Sequence, residues 1–594
     1  MATEQTVDLI VRRLTDWGVQ RIYGYAGDGN NPLLGALRRA GNSPEFIQAK
    51  HEEGAAFMAT GEAKYTGGVG VLTVTQGPGA IHVLNGLYDA KLDSAAVVAL
   101  VAQQHTSVLG SGYQQEVDLA TLFQDVSSFV EQVSAPEQLP MVLDRAFRSA
   151  LSSRQPAVLI LPHDVQKQPP ADLGQEHGEI STAPLWSHGT LLPGEDDLTA
   201  AVQLIEAGER LTILAGQGAR RAQDELMALA EHLGAAVATS LLGKPYLDES
   251  HPLAAGTMGH LGTTAAARVM QNCDTLLIVG CNSPWTEFYP APGQARAVQV
   301  DTDPVVLANR YPVEVGLAGD AAATLAALRE RLQPRTDSPW REQVEHHVRD
   351  WHEISRRRAE VPAAPLNPEL VVRSFAQRIP PDAQLAIDVG SCVYHYVRQM
   401  NLPTSVPAHL SSTLASMGCA VPYGLAAKES EPGRPVVAVA GDGAMLMLGN
   451  TELVTVAQRW RGWRDPRFVL LVLHNLDLSE VTWEQRETES QPRFVPSQEL
   501  PRFDFAGYAE LIGLRGLRIG GRDDIADVLG EAFAADRPVV VEALTDRDVP
   551  LLPPFPHGRK LAEAMREGIG AEGDAGRHAR ELLDRYERIE AEYQ

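Results

Sequence analysis

Two oxygen-bearing side chains directly follow successive apolar runs in the last third of the chain. Asp442 comes after the run VVAVAG, and Asn475 ends the run FVLLVLHN. Because the carboxyl ends of parallel strands meet at one edge of a sheet, these side chains are expected to lie together. With a backbone carbonyl near Asp477, their oxygens would suit an octahedral ion such as Mg²⁺. The spacing therefore predicts a metal site.

The residues around Asp442 indicate what such a metal would hold. Gly441, Gly443 and Ala444 stand where a strand would turn into a helix, so the backbone can approach a ligand and helix amides can attract a diphosphate. An anion beside the Asp442 carboxylate requires a cation between them. The plainer interpretation is a tight turn without a ligand, followed after Asn475 by an acidic segment that faces solvent.

The elements that would position these residues form three segments in which short β-branched runs alternate with helical patterns. This alternation predicts an α/β fold with three parallel-sheet domains at 1–168, 195–335 and 366–548, followed by a helical tail at 549–594. Two polar stretches, QKQPPADLGQEHGEISTAP and the region from RTDSPWREQ to EVPAAPLNP, are interpreted as linkers. The segments VLTVTQGPG and VVAVAGDG each predict a strand, a turn and a helix, which indicates similar first and third domains.

The composition limits the function classes. The 594 residues carry a formal charge of −25, which disfavours nucleic acid and anionic membranes as partners. Four scattered cysteines without CxxC spacing predict neither a disulfide framework nor a zinc site. The N-terminal segment lacks the apolar core of a signal peptide, and no run reaches the roughly 18 apolar residues of a membrane span. A cytoplasmic protein is expected.

Beyond these patterns, the chain resembles the thiamine diphosphate (ThDP) enzymes of the pyruvate oxidase and acetolactate synthase group. Their cofactor motif is GDG followed, one helix and one strand later, by two Asn residues. The second matches Asn475, His474 replaces the first, and the segment RWRGWRDPRF lengthens the spacing. Neither departure removes an expected ligand, so the resemblance implies ThDP with Mg²⁺ at Asp442, Asn475 and Asp477. It also implies that the three domains are pyrimidine-binding, central Rossmann-like and diphosphate-binding.

The resemblance assigns a role to Glu52 in the segment AKHEEGAAF. In the family this glutamate contacts the aminopyrimidine, and a carboxylate that shares a proton with the ring favours the imino tautomer able to remove the thiazolium C2 proton. Otherwise Glu52 is an acid in the first turn of a helix. Further ThDP contacts implied by TQGPGAIH, LAIDVGS and STLASMGCAVPYG are Gly77, Pro78, Gly79, Gly390, Ser391, Ala415 and Met417.

The middle segment indicates a flavin. ILAGQGARRA begins like a dinucleotide-binding turn, but Arg221 occupies the third glycine position, so that fingerprint is broken. Several segments nevertheless resemble, in order, the flavin-binding elements of pyruvate oxidases, although many relatives keep this domain without flavin. The implied FAD contacts are Gly216, Gly218, Lys244, Gly259, His260, Asp301 and Asp320.

The segments GSGYQQE, VSAPEQLPMVL and FYP are most similar to the bacterial pyruvate:quinone oxidoreductase branch. That resemblance implies decarboxylation of a pyruvate-like 2-oxo acid through a C2 carbanion and enamine, with electrons passing to FAD and then to quinone or oxygen. Gln115 and Glu484 are the implied candidates for proton transfer. Relatives carry Phe at the positions of Gln114 and Glu480, and a carboxylate there would repel an anionic substrate. The alternatives are a non-oxidative lyase or carboligase acting on a larger or more polar 2-oxo acid or acyloin, and a catalytically silent ThDP-binding protein.

The resemblance also implies an assembly. ThDP sites in this group lie between the first domain of one chain and the third domain of another, so a homodimer is the smallest active unit and a homotetramer is expected. The charged C-terminal segment is interpreted as helical without a strong apolar face, which predicts no tight membrane attachment.

Overall fold

The computed structural model describes residues 4–170, 180–335 and 337–593. Residues 171–179, inside the first expected linker, lie outside the described residues. Three six-stranded parallel sheets follow one another along the chain, which confirms the predicted α/β class. The first sheet contains β1 (Arg21–Gly24), β2 (Glu45–Gln48), β3 (Gly70–Val74), β4 (Val97–Gln103), β5 (Phe129–Gln132) and β6 (Pro156–Pro162). Its helices are α1 (Thr6–Asp16), α2 (Asn31–Arg39), α3 (Glu52–Thr66), α4 (Pro78–His82), α5 (Leu84–Leu92), α6 (Leu119–Phe123), α7 (Leu139–Ser153) and α8 (His163–Lys167).

The middle and third sheets are built in the same manner. The middle sheet contains β7 (Leu211–Ala215), β8 (Ala236–Thr239), β9 (Ala254–Thr257), β10 (Thr275–Val279), β11 (Arg296–Asp301) and β12 (Val315–Ala318). Its helices are α9 (Glu195–Ala207), α10 (Gln223–Leu233), α11 (Thr264–Asn272) and α12 (Ala321–Arg331), and α13 (Pro339–Glu360) comes after them in the chain. The third sheet contains β13 (Gln384–Ile387), β14 (Ala408–His409), β15 (Val436–Gly441), β16 (Phe468–His474), β17 (Arg515–Ile519) and β18 (Val539–Leu544). Its helices are α14 (Pro368–Ala376), α15 (Ser391–Gln399), α16 (Ala420–Ser430), α17 (Asp442–Ala444), α18 (Asn450–Arg459), α19 (Ser479–Thr488), α20 (Val495–Gln498), α21 (Phe505–Leu511) and α22 (Ile525–Ala534), before α23 (His557–Ala571) and α24 (Arg577–Ala591).

The first and third sheets share one strand order. They read β2-β1-β3-β4-β6-β5 and β14-β13-β15-β16-β18-β17, so β3 and β15 hold equivalent central positions. The similarity seen between VLTVTQGPG and VVAVAGDG thus extends to the whole sheet. The middle sheet reads β12-β11-β10-β7-β8-β9, which is the Rossmann order seen from the other edge. Every residue of β4 and β16 is buried, as expected for parallel strands covered by helices on both faces.

Helices α3 and α16 join the first and third domains in one hydrophobic core. A Cβ on Gly61 would lie 3.1 Å from side-chain atoms of Ala426 and Tyr423, so glycine is what allows the two helices to approach so closely. The ring of Tyr423 also meets Phe57 edge to face, with centroids 6.2 Å apart. Helix α3, which begins at Glu52, is therefore fixed against the third domain of its own chain.

The second expected linker is wrong in its central part, because residues 339–360 form the helix α13. The many charged residues of this segment obscure the helical spacing of its apolar residues in the sequence. Its largest buried apolar side chains recur every three or four residues and pack into the core of the middle domain: Trp340, Val344, Val348, Trp351 and Ile354.

The C-terminal segment folds back onto the chain as α23 and α24. The expectation that it lacks a strong apolar face is wrong, because one face of α24 is buried in the same core as α13. A buried ion cluster adds to this contact: Arg358 lies 3.3 Å from Glu590 of α24 and 2.9 Å from Glu369. In the described ranges, no helix is both long and apolar enough to cross a membrane. The buried apolar residues of α24 are Leu582, Leu583, Tyr586 and Ile589.

Candidate active site

The expected metal pair lies at the carboxyl edge of the third sheet. β15 and β16 are neighbours, with Gly441 opposite Leu473, so Asp442 and Asn475 leave adjacent strands at the same level. Asp442 Oδ2 accepts hydrogen bonds from the amides of Asn475, at 3.1 Å, and Leu476, at 2.7 Å. Leu476 has a φ of 60°, a left-handed conformation that leucine rarely adopts. The two strand ends are thus held together around the Asp442 carboxylate.

The remaining contacts show which oxygens a cation could use. Asn475 Oδ1 accepts from the amide of Asp477 at 2.9 Å, while its Nδ2 donates to Ser479 Oγ at 3.0 Å. The Asp477 carboxylate forms an ion pair with Arg493 at 2.6 Å, so this residue would offer a metal only its backbone carbonyl. Burial raises the pKa of Asp442 to about 6, and a bound cation would favour the ionised form. An acid, an amide and a carbonyl at one point fit Mg²⁺.

Gly390 follows β13 and Gly441 ends the neighbouring strand β15, and both border the region that a diphosphate would occupy, here called the diphosphate space. Gly390 has a φ of 128° and directly precedes α15, which begins at Ser391. A Cβ on Gly441 would meet no atom within 4 Å, so this turn borders open space. The first amides of a helix have no partner inside it and favour an anion. The arrangement therefore fits the diphosphate of ThDP.

Gly443 and Ala444 complete the short helix α17. A Cβ on Gly443 would lie 2.8 Å from a terminal methyl carbon of Leu478, so a larger residue there would require this leucine to move. The backbone then widens into a π-helical turn over residues 445–449. Such turns are frequent at functional sites. The GDG segment thus leads from β15 into a short helix that continues as a π-helical turn.

Ala415 and Met417 lie in the loop between β14 and α16. Ala415 has a φ of 58°, which is unusual for alanine. Two buried carboxylates hold the loop: Asp93 accepts from the amides of residues 412–413 at 2.8 and 2.9 Å, and Asp388 accepts from the amide after Met417 at 2.7 Å. The loop conformation is therefore imposed from outside the loop.

The first domain supplies most of this support. Lys64 Nζ donates to Asp93 Oδ2 and to the carbonyl of Leu410, both at 2.8 Å. Asn85 Nδ2 donates to the hydroxyl of Ser416 at 2.7 Å. Sequence reasoning missed these residues, because no spacing pattern relates them to a loop more than 300 positions away.

Glu52 begins α3 in the first domain, apart from the metal pair. Its Oε2 lies 3.0 Å from His82 Nδ1, and a Cβ on Gly79 would lie 3.4 Å from its Oε1. The ring of His51 lies beside that of His82, with centroids 4.6 Å apart. Within the described parts of the chain, no hydrogen bond joins Glu52 to Asp442. The residues around Glu52 form the Glu52 half of the candidate site, and those around Asp442 form the metal half.

The glycine turn and Gln115 belong to the Glu52 half. Gly77 has a φ of 60° and leads into α4 at Pro78. A Cβ on Gly77 would lie 2.8 Å from the Gln115 Cβ, so the two segments touch. Gln115 itself has a φ of 64°, and its Oε1 accepts from Gln76 Nε2 at 3.0 Å. Gln114 is exposed beside it.

Glu480 and Glu484 lie one turn apart on α19, in the metal half. A Cβ on Gly390 would lie 3.9 Å from Glu480 Oε2, which places this carboxylate beside the diphosphate space. Burial, and then the charge of Glu484, raises the pKa of Glu480 to about 7. Burial also raises the pKa of Glu484, against the effect of His260. His260 Nε2 in turn lies 3.3 Å from Glu487.

The family departures leave the metal pair intact. His474 Nδ1 lies 2.8 Å from Glu542 on β18, so the ring is bound away from Asp442. In the RWRGWRDPRF segment, Arg459 and Trp463 both donate to Glu429, at 2.6 and 2.9 Å. The additional residues therefore lie before β16 begins, at the edge of the sheet opposite Asp442 and Asn475.

The expected flavin contacts line the carboxyl edge of the middle sheet. Gly216 follows β7, Gly259 follows β9, Asp301 ends β11 and Asp320 follows β12. In this type of sheet, dinucleotides bind in the crevice outside the carboxyl ends. The placement fits an extended dinucleotide.

Individual contacts fit FAD less well. Lys244 is buried and bonded to Glu249, so its charge is already balanced. A Cβ on Gly218 would lie 2.6 Å from the Gly280 Cα, so the close packing of two turns accounts for that glycine. Asp320 accepts from the amide of Leu191. These three residues therefore have structural roles of their own, and only their position at the sheet edge agrees with the expected FAD contacts.

Comparisons with known proteins identify the family. The models for thiamine pyrophosphate enzymes match residues 4–122 (N-terminal TPP binding domain), 198–328 (central domain) and 388–543 (C-terminal TPP binding domain). The putative thiamine pyrophosphate-containing protein YdaP of Bacillus subtilis is 33% identical over 557 residues, 93% of each chain. The chain belongs to the ThDP enzymes of the pyruvate oxidase and acetolactate synthase group. ThDP is the same compound as thiamine pyrophosphate, so this confirms the family inferred from the motifs.

Within this family, relatives of two kinds are similar to the chain. The pyruvate oxidase of Lactiplantibacillus plantarum is 30% identical, covering 91% of this chain and 89% of its own. A probable acetolactate synthase large subunit of Methanocaldococcus jannaschii is also 30% identical, covering 94% and 95%. The comparisons thus support a ThDP-dependent 2-oxo acid enzyme at the level shared by both kinds.

Proposed function

We propose that the protein is a ThDP- and Mg²⁺-dependent oxidoreductase that decarboxylates a pyruvate-like 2-oxo acid and passes electrons to FAD, then to quinone or oxygen. The observation that carries this proposal is the juxtaposition of Asp442 and Asn475 at adjacent strand ends beside the first turn of α15. A cation held there would join a diphosphate to the protein. ThDP, when bound, supplies the nucleophilic carbon and accepts the electrons released with CO₂.

The protein's own groups bind, orient and move protons. Glu52 would hold a proton at an aminopyrimidine ring nitrogen, and its bond to His82 keeps the carboxylate oriented. The Ala415 carbonyl and the Met417 side chain would position the ring. Gln115 would orient the substrate, and Glu484 would exchange protons with it.

As the family resemblance implies, the Glu52 half of one chain would meet the metal half of another chain, so the complete site would need two chains. Each half is bordered by exposed apolar side chains: Ile81 and Tyr113 on the Glu52 side, and Met447 and Val481 on the metal side, each about half exposed. A contact with a second chain beside the candidate site would remove such groups from water. A homodimer would cover them and bring the halves together, and two such dimers would form a homotetramer.

Glu52→Gln tests the site. The variant should keep its fold and its affinity for ThDP within a fewfold, because an amide still reaches the ring, but turnover should fall by at least about a thousandfold, since the ring proton is no longer shared. Glu131→Gln, an exposed acid of the same domain, should behave like the parent. Full activity in Glu52→Gln would refute the proposed site.

A second function has one specific observation in its favour. Glu480 places a carboxylate beside the diphosphate space, where it would accept a hydrogen bond from a hydroxylated acyl group and disfavour a methyl group. This fits a non-oxidative lyase or carboligase acting on a more polar 2-oxo acid or acyloin. Flavin absorbance near 450 nm that bleaches with pyruvate under anaerobic conditions would support the oxidase. Colourless protein that releases CO₂ from hydroxypyruvate without an electron acceptor would support the lyase.

A further inference from the structure

Helix α19, which carries Glu480 and Glu484, packs with another of its faces against the C-terminal helix α23. On that face Trp483 and Arg486 are each 1% exposed, and the Arg486 guanidinium lies 4.5 Å from the centroid of the Trp483 ring. An ideal Cβ on Gly568 of α23 would lie 3.1 Å from the Arg486 Cα, so glycine allows the two helix backbones to approach closely. The C-terminal segment therefore supports a helix of the candidate active site.

One carboxylate at the end of α23 joins the two helices. Glu572 Oε1 accepts a hydrogen bond from Arg486 Nε at 2.8 Å, and its Oε2 accepts from Arg486 Nη2 at 2.9 Å. Such paired, charge-assisted bonds between a guanidinium and a carboxylate fix both distance and orientation. Glu572 Oε1 also accepts from the backbone amide of Arg493 at 2.9 Å. Glu572 thus holds the last turn of α19 and the segment that follows it.

The segment after α19 leads back to the metal site. Arg493 Nη2 lies 2.6 Å from Asp477 Oδ1, and the hydroxyl of Thr482 donates to Asp477 Oδ2 at 2.6 Å. Both contacts hold the residue whose backbone carbonyl a metal would use. Glu572 therefore reaches Asp477 through the backbone and the side chain of Arg493.

The buried charge of Arg486 depends mainly on Glu572. Asp548 Oδ1 lies 3.5 Å from Arg486 Nη2, and Nη1 has no hydrogen-bond partner among the described residues. A buried ion pair adds little net stability compared with well-packed apolar residues, but removal of one partner leaves the other charge without compensation. The pair is therefore better explained by the position that it imposes on α19 than by its contribution to stability.

We propose that Glu572 and Arg486 are positioning residues, and that their ion pair lets the C-terminal segment set the place of α19 in the candidate active site. This inference rests on the proposed function, which assigns Glu484 to proton exchange and the Asp477 carbonyl to Mg²⁺. A displacement of about 1 Å at a reacting group can cost about a hundredfold in rate, so residues outside the site can control turnover in this way.

Titration of ThDP into the protein, with Mg²⁺ and in EDTA, tests the effect on the metal site. Glu572→Gln should raise the Kd for ThDP at least about fivefold with Mg²⁺ and hardly at all in EDTA, because the Asp477 carbonyl is displaced. Arg486→Lys, which keeps the buried charge but cannot form the paired bonds, should act in the same direction. Glu590→Gln, the matched control, also takes a carboxylate from a buried arginine in the C-terminal segment, but away from α19, and should bind ThDP like the parent.

Turnover gives a readout that a purely structural role would not change. At saturating ThDP and Mg²⁺, and below the unfolding temperature of each variant, CO₂ release is measured with ferricyanide as electron acceptor. The substrate is pyruvate or hydroxypyruvate, whichever the parent decarboxylates. In Glu572→Gln, kcat should fall at least about tenfold while KM changes by less than about threefold, because Glu484 no longer meets the bound substrate in the correct position. Glu590→Gln should lower only the unfolding temperature.

The outcomes separate this inference from the proposed function. Parent-like Kd and kcat in both Glu572→Gln and Arg486→Lys, or equal losses in Glu590→Gln, would overturn the inference and leave the proposed function intact. A parent that binds ThDP equally well with Mg²⁺ and in EDTA would refute the proposed site itself, and the inference with it.

Discussion

Glu480→Gln replaces a partly buried carboxyl group with an amide of nearly the same shape. Burial and the charge of Glu484 raise the pKa of Glu480 from 4.5 to about 7. A shift of about 2.5 pH units corresponds to about 3.4 kcal/mol at 1.36 kcal/mol per unit. Since the side chain retains some contact with water, about half of this, roughly 1.7 kcal/mol, is the expected cost of ionising Glu480 in the folded protein.

The direction of the pH effect follows from linkage. Below pH 4.5 the carboxyl group is protonated in both the folded and the unfolded chain, so it has no pH-dependent effect on stability. As the pH rises to about 7, the unfolded chain ionises first, and the folded protein loses stability relative to it. Above about pH 7 the full penalty is present. Glutamine never ionises, so the variant should gain stability over the parent at pH 8 and little at pH 4.5.

Thermal unfolding of the metal-free protein at pH 4.5 and pH 8 measures this difference. Glu489→Gln, an exposed acid at the end of the same helix, is the matched control and should show no difference between the two pH values. A gain of equal size at both pH values would show that the effect does not depend on ionisation of Glu480, and a loss at pH 8 would show that Glu480 is ionised and paired in the folded protein. The explanation of its raised pKa would then be refuted.

Three further substitutions probe the metal, the loop and the tail. Asp442→Asn should weaken ThDP binding at least tenfold with Mg²⁺ and hardly at all in EDTA, because only the metal-mediated part is lost; equal loss in both conditions would contradict the metal role. Asp93→Asn should raise the Kd for ThDP, because the loop amides lose a carboxylate partner. The control Asp144→Asn, at a buried ion pair with Arg13, should lower only thermal stability. A parent-like Kd in Asp93→Asn would count against the loop's role. Glu590→Gln should lower the free energy of unfolding by about 3 kcal/mol, because Arg358 stays buried with one partner fewer, and an unchanged urea midpoint would contradict this.

The sequence supports prediction of those features that depend on neighbouring residues or on family motifs. Buried parallel strands appear as continuous apolar runs, so β4 and β16 could be located directly. The position of Asp442 beside Asn475 also follows, because adjacent parallel strands end at one edge. By contrast, α13 was hidden, since its apolar residues are separated by many charges, and the apolar face of α24 was missed for the same reason.

Contacts between distant segments could not be predicted. The carboxylate of Asp93 holds amides at 412–413, and the carbonyls of Asp93 and Ser94 accept hydrogen bonds from Gln217 and Arg154. No periodicity or local motif relates these positions. These contacts depend on how α3 packs against α16 and on how the middle domain meets the first. Side-chain volumes and glycine positions determine that packing, and their effect is seen only in the folded structure.

Backbone strain points to the same distant contacts. Among the described residues, eight non-glycine residues have a positive φ. Three of them, Gln115, Ala415 and Leu476, lie in the candidate active site, and two, Ser94 and Arg154, are joined by a hydrogen bond. A left-handed conformation costs a non-glycine residue about 1 kcal/mol or more and persists only where the surroundings impose it. Bonds from other elements impose it at several of these points, as at Leu476, whose amide is held by a carboxylate from the neighbouring strand. The contacts that build the candidate active site are therefore also the ones that local sequence preference opposes, which is why sequence patterns reveal the elements more readily than the site.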